Sequence, residues 1–298
     1  MIKGSIRGRS AELSLLTKFN GSETLFLISI LLTGNWGDGR PLDLGEIVTG
    51  QPRTNLAYLR EMKCRQAQAT VLKVVPEKRT HTYLILDRTI FHPKGGGQPS
   101  DKGEIHSRDY QVAVKKAIYY NGVVVHWGRL IRGTPVEGEA TCGIDWAYRL
   151  SVMRRHTAAH LLDHCLAQAI GARVQTTDSW LDDPCYVGYA GAAPSQEALG
   201  KAEALANRMI LEGGPVRINF LTPEQAEALL RNAPNYERLP DLPEVRTVTI
   251  QGCQPIPCGG THVANLAEIM GITIVRAEQL PTNSYRLHFS VDANVSSA

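Results

Sequence analysis

Two histidines four residues apart, in His156-Thr-Ala-Ala-His160, are the residues of this sequence best spaced to act together. On a helix they are separated by only about 40° of rotation, so both imidazoles can face one point. Much further along, Cys258-Gly-Gly-Thr-His262 offers a thiolate and another imidazole, with Gly259 and Gly260 permitting a sharp return of the chain between them. Nitrogen and sulfur donors together make a shell of the kind Zn²⁺ prefers. The spacing gives His156, His160 and Cys258 as ligands, with His262 as the fourth or near-fourth. His164, one turn beyond His160, is a rival ranked below the other two. A shell with one open position holds a water whose pKa the metal lowers towards ~7, which is hydrolytic chemistry. A closed shell of four would instead be a structural zinc that pins the loop to the helix. A lone histidine on such a helix is more often a satisfied core residue; the matching Cys/His pair is what favours a metal.

No carboxylate stands between the two histidines, where Thr157, Ala158 and Ala159 lie, so this is not the HExxH arrangement with its built-in general base. The reaction expected is therefore one that needs little base assistance. An activated ester fits that description better than an unstrained peptide bond.

The elements that must position these residues belong to a chain of 298 residues, long enough for two domains. Its hydrophobic share of 43% and charged share of 20% are those of an ordinary globular protein. A net charge of +3, from 32 Lys+Arg against 29 Asp+Glu, permits a nucleic-acid partner without requiring one. Six scattered cysteines without a CxxC pair suit a reducing, cytoplasmic setting rather than a disulfide-stapled module. The apolar run Leu25–Leu32 is far below the roughly 20 residues of a membrane span. Acidic residues are sparse at the N-terminus, so import into an organelle stays open beside a short buried element or an unstructured extension.

Residues 1–55 are Gly-rich and poorly periodic, with no regular element expected beyond that run. Residues 56–147 read as β: Gln68–Val75, Thr82–Leu86, Tyr110–Val114 and Val123–Trp127 are short runs rich in β-branched and aromatic residues. Asn121-Gly122 is the strongest hairpin signal. Several strands without helices between them predict a small antiparallel barrel or sandwich. Within it, Gly95, Gly96 and Gly97 either let a phosphate or sugar approach the backbone or form a tight loop at a domain junction. Residues 148–298 open with a helix from Tyr148 to Ile170 capped by Gly171, followed by an irregular segment containing Asp178, Asp182, Asp183 and Cys185. Helices starting at Ser195 and Thr222, a strand Val245–Ile250 and a closing hairpin make this part α+β.

Three blocks, Phe91-His-Pro-Lys-Gly-Gly-Gly-Gln-Pro-Ser-Asp101, Arg155-His-Thr-Ala-Ala-His-Leu-Leu162 and Pro257-Cys-Gly-Gly-Thr-His-Val263, resemble in this order the alanyl-tRNA editing proteins, AlaX, in their medium-length form. That family is similar to the editing domains of alanyl- and threonyl-tRNA synthetases. The match covers about Leu56 to Val291; residues 1–55 have no counterpart in it. The resemblance implies a β-barrel followed by an α+β editing domain, and a Zn²⁺-dependent deacylase of tRNA(Ala) mischarged with serine, and of its glycyl form. It puts the zinc on His156, His160, Cys258 and His262. Gly95, Gly96, Gly97, Gln98, Thr157, Gln175 and Thr176 are the candidates for substrate contact, and Lys94, Arg149, Arg154 and Arg155 for the acceptor-end phosphates. Two departures stand out: Val187-Gly-Tyr-Ala-Gly191 where relatives carry an aromatic-Asp-Phe run, and His92 where Tyr is common. A hydrolase of a small ester or amide, and a non-catalytic tRNA-binding module with structural zinc, are the competing readings.

Overall fold

In the computed structural model, residues 43–78, 80–231, 233 and 243–291 are described, and the run Leu25–Leu32 lies outside them. Asp43 accepts a hydrogen bond from the Gly45 amide and so starts a helix, α1 (Leu44–Val48), which the sequence did not signal. Its Ile47 and Val48 are buried against Ile85, Val123 and Val125, and the Lys73 ammonium donates to the Ile47 carbonyl at 2.7 Å. A short strand β1 (Asn55–Leu56) pairs in parallel with β4 (Arg88–Thr89), so part of the expected extension is built into the β domain.

The predicted barrel is present and closed. Strands β2 (Gln66–Lys78), β3 (His81–Leu86), β5 (Gly103–His106), β6 (Gln111–Tyr120), β7 (Val123–Arg132) and β8 (Gly138–Ile144) pair in the order β2-β3-β7-β6-β5-β8. Every pairing is antiparallel, and β2 closes the ring by pairing with β8 through its first half and β3 through its second. Register shifts along the β2–β3 pair bend the long strand around the corner. Asn121 and Gly122 adopt φ of 48° and 85°, the double positive φ of a two-residue hairpin turn. Leu84, Leu86, Ile105, Val112, Val114 and Val124 fill the interior.

The second part is organised by α2 (Trp146–Ile170). Asp145 caps it by accepting from the Tyr148 amide, and Gly171 ends it at φ 65°. The segment read as irregular is instead an antiparallel pair, β9 (Thr176–Trp180) and β10 (Tyr186–Ala190). Then come α3 (Gln196–Glu212), β11 (Val216–Leu221), α4 (Pro223–Leu230), β12 (Val245–Ile250), β13 (Ile256–Pro257), β14 (Thr273–Leu280) and β15 (Ser284–Ser290). The Ser195 cap and the Thr222/Gln225 capping box form as expected. One sheet runs β14-β15-β10-β9 and another β11-β12-β13. Val187, Tyr189, Leu287 and Phe289 of the larger sheet share a core with Leu161, Leu162 and Leu166 of α2 and Ala202 and Ala206 of α3. With apolar neighbours along most of its length, α2 is a rigid rod from which ligands can be aimed. Among the described residues, no helix is long and apolar enough to cross a membrane.

Candidate metal centre

His156 and His160 project from the middle of α2, and Cys258 and His262 from the loop after β13. One donor atom from each lies within 4.8 Å of those of the other three. Cys258 Sγ is 3.4 Å from His156 Nε2 and 3.3 Å from His262 Nε2. Four ligands around a zinc with bonds of ~2.0–2.3 Å would be roughly 3.5 Å apart, so these separations suit a tetrahedral ion. The buried His160 Nε2 has no hydrogen-bond partner, an arrangement that costs free energy unless something else meets that lone pair. Three imidazoles, a thiolate and an orphaned nitrogen aimed among them fit Zn²⁺. His164 is not part of the cluster.

The ring orientations are fixed from behind. His156 Nδ1 donates to Gln98 Oε1 at 2.8 Å, and that oxygen also accepts from the Thr261 amide at 2.9 Å. The Gln98 amide nitrogen donates to Thr261 Oγ1 at 2.9 Å, so both polar atoms of the Gln98 head are engaged at the centre. His262 Nδ1 lies 3.2 Å from Thr157 Oγ1, whose own hydrogen goes to the Met153 carbonyl and which also accepts from the Val263 amide. With Nδ1–H donated away in both rings, each Nε2 presents a lone pair to the centre. Burial pushes His262 down to about 3 and His156 below its ordinary value, which keeps both neutral and ready to ligate. For Cys258, burial alone would raise the thiol. The imidazoles ringed around the sulfur, of which His160 is the one favoured in its charged form, outweigh it and hold the group well below its usual range, and the Gly260 amide also donates to the sulfur. With no cation present, Asp163 and Cys258 overcome the effect of burial and push His160 up to about 9, so a zinc ion would bind there by displacing a proton.

Glycine is imposed at Gly260 by its contacts and at Gly96 and Gly97 by the turn they form. A Cβ on Gly260 would sit 2.1 Å from His156 Cε1 and 2.7 Å from Gln98 Oε1, so the loop passes against the ring only without a side chain. In the glycine run, Gly95 and Gln98 exchange both backbone hydrogen bonds, with Gly96 and Gly97 at φ 56° and 78°. This is a tight turn whose two central residues need positive φ, and it delivers Gln98 to the centre. Gly97 abuts Ser179 of β9, whereas Gly95 and Gly96 face open space.

The other expected site residues divide between buried supports and surface positions. Gln98 and Thr157 are fully buried behind the histidines, with their hydrogen-bonding groups engaged there. Thr176 begins β9 opposite Tyr189, and Gln175 just before it is exposed, its carbonyl accepting from the Ala190 amide. Arg149 does not reach outwards, contrary to the phosphate-binding expectation. It is 0% exposed, forms a two-pronged ion pair with Asp101, and donates to the Met62 and Ile90 carbonyls, tying α2 to the barrel. Arg155 pairs with Asp182 at 3.4 Å, and Arg154 donates to the Glu268 carbonyl at 2.6 Å. Lys94 is exposed over the Trp180 ring. His92 is buried edge-on to Tyr58, and its amide donates to the Asp101 carboxylate.

Sequence reasoning missed Arg246. This buried side chain donates to the Leu59 carbonyl at 3.0 Å and to the Cys258 carbonyl, so a residue of β12 spans the barrel approach and the ligand loop. The alternating text of Val245-Arg-Thr-Val-Thr-Ile250 reads as a half-exposed strand and gives no hint that the arginine points inwards.

The arrangement of barrel, glycine turn and His₃Cys cluster agrees with similarity to known proteins. The family described as "tRNA synthetases class II (A)" matches residues 54–148, and "Threonyl and Alanyl tRNA synthetase second additional domain" matches residues 245–288. The alanyl-tRNA editing protein AlaX-M of Methanosarcina acetivorans is 31% identical over 253 residues, covering 80% of this chain and 99% of the relative. AlaX-L of Pyrococcus horikoshii is 30% identical over 78% of this chain and 57% of its own length. The alanine–tRNA ligase of Korarchaeum cryptofilum is 34% identical over 80% of this chain and 26% of its own length. Since a full-length AlaX-M aligns from end to end with a chain that carries the barrel and the cluster, this protein belongs to the alanyl-tRNA editing family, in its AlaX-M form.

Proposed function

We propose that this aminoacyl-tRNA deacylase hydrolyses the ester of tRNA(Ala) mischarged with serine, and secondarily with glycine, in trans, using one Zn²⁺ held by His156, His160, Cys258 and His262. The single observation that carries the reading is the convergence of these four donors from α2 and a distant loop. Zinc held there would supply a Lewis acid for the ester carbonyl and, only if it takes on a water beside the four protein donors, an acidified nucleophile; with no such position it would be structural.

The residues of the chain do the rest. Gln98 and Thr157 hold two imidazoles in the ligating tautomer, and the amide of Gly260 supports the thiolate. His262 is 0% exposed, while His160 and Cys258 are only partly covered, so substrate approaches from the His160/Cys258 side. Gly95 and Gly96 leave room beside it for the terminal ribose, and exposed Lys94 supplies positive charge for phosphate. No carboxylate stands among the four donors, which suits an activated aminoacyl ester. In this reading residues 56–147 and 148–298 act as one unit, because Gln98 of the first supports a ligand in the second.

Release of labelled serine from Ser-tRNA(Ala), measured for the wild type and for His160→Ala, tests the proposal. Loss of activity in a folded variant is the expected result. No deacylation by purified, zinc-loaded wild type would refute it.

A further inference from the structure

The three imidazoles of the cluster have different partners at Nδ1. His156 has the neutral Gln98 amide and His262 the neutral Thr157 hydroxyl. His160 alone faces a carboxylate, that of Asp163 one turn further along α2, with Oδ2 3.9 Å from Nδ1. The other oxygen, Oδ1, accepts from the Tyr189 hydroxyl at 2.7 Å. Tyr189 is 0% exposed and its ring stacks on Tyr285 at 5.2 Å, so the hydroxyl is delivered by a part of the sheet that cannot swing away.

Resting on the zinc reading above, we propose that Asp163 and Tyr189 form a carboxylate–histidine relay that orients His160 and tunes the metal it binds. A dication with one thiolate keeps a net positive charge in a largely buried site. The carboxylate behind His160 neutralises it and makes that imidazole the most electron-rich of the three nitrogen donors. Tyr189 acts one step further back, holding Oδ1 so that Oδ2 is turned towards the ring. Both are positioning residues, since neither touches the donor atoms. The sequence signature is a carboxylate three residues after the second histidine, the spacing at which helical side chains meet.

The test is zinc affinity at fixed pH by competition with a chromophoric chelator, for the wild type, Asp163→Asn, Asp163→Glu and Tyr189→Phe, with circular dichroism to confirm folding. Asp163→Asn is expected to weaken zinc by about 10- to 100-fold. Asp163→Glu should recover part of that loss, and Tyr189→Phe should weaken zinc by less than Asp163→Asn. In Co²⁺-substituted protein the visible bands should shift in Asp163→Asn, which a purely structural role would not cause. Affinities within twofold of wild type, with only the melting temperature lowered, overturn the relay. If Asp163→Asn does not fold, Tyr189→Phe decides by the same criterion. A wild type that binds no zinc would overturn the metal reading itself, and the relay with it.

Discussion

Gly260→Ala adds one methyl group, and the structure says where it goes. The new Cβ would stand 2.1 Å from His156 Cε1 and 2.4 Å from Nδ1, at least 1.3 Å short of the 3.4 Å at which ordinary contact begins for the nearer atom. The ring cannot retreat freely, because its Nδ1 is bonded to Gln98 Oε1, which would itself lie 2.7 Å from the added carbon. Gly260 is not among the positive-φ glycines, so backbone strain contributes nothing and the clash acts alone. Metal–ligand distances tolerate only about ±0.2 Å, so moving His156 or the Cys258 loop by an ångström removes a ligand. A displacement of about 1 Å in a catalytic site costs on the order of 10²-fold in rate. The expected outcome is at least that loss in Ser-tRNA(Ala) deacylation, together with zinc that a chelator removes far more easily. Gly259→Ala is the control: its Cβ would meet nothing within 4 Å, and zinc affinity should be unchanged. Wild-type zinc affinity in Gly260→Ala, or equal losses in both variants, would refute the steric argument.

Three further outcomes can be measured. Asp101→Asn leaves Arg149 as an uncompensated buried charge and should destabilise the protein by about 3–5 kcal/mol in urea unfolding, whereas replacing both members with apolar residues should recover much of that. His126, fully buried in the barrel, is pushed down to about 4 from its usual 6.5, chiefly by burial. Its contribution is therefore complete above pH 6.5 and is lost as pH falls towards 4, by up to about 3 kcal/mol, so stability curves for the wild type and His126→Gln should have different slopes in that window only. Stripping the metal with a chelator should lower the melting temperature and increase amide exchange in the Cys258–His262 loop while leaving exchange in the barrel strands unchanged; equal protection of that loop with and without chelator would contradict a metal there.

Much of this was legible in the sequence because the relevant signals are local. Asp145 and Gly171 bracket α2, Ser195 and Thr222 start their helices, and Asn121-Gly122 turns its hairpin, each through contacts within a few residues. The strands that went unread are those whose burial is decided elsewhere. Thr176-Thr-Asp-Ser-Trp180 is polar and becomes a strand by pairing with Tyr186–Ala190, which in turn pairs with β15, more than ninety residues away in sequence. Arg149 misled for the same reason: a cation beside a predicted ligand reads as a surface charge until Asp101, 48 residues earlier, is found beside it.

The same distinction separates the ligands from what makes them ligands. Donor identity follows from the spacings of His156, His160, Cys258 and His262, but the tautomer each ring adopts depends on Gln98, Thr157 and Asp163. Two of these, Gln98 and Thr157, were expected at the substrate because polar residues beside a metal motif can serve either side of it. Burial places both behind the ligands: Gln98 and Thr157 are 0% exposed, with Gln98 bonded to His156 and Thr261, and Thr157 to Met153, Val263 and His262. The glycine turn then has two duties that pull on different residues. Gly97 and Gln98 face inwards and fix His156, while Gly95 and Gly96 face open space. On the proposed reading, in which this four-residue turn would present substrate and orient the metal, a change on its outer half should move KM for the aminoacyl-tRNA and a change on its inner half should move kcat and zinc affinity together.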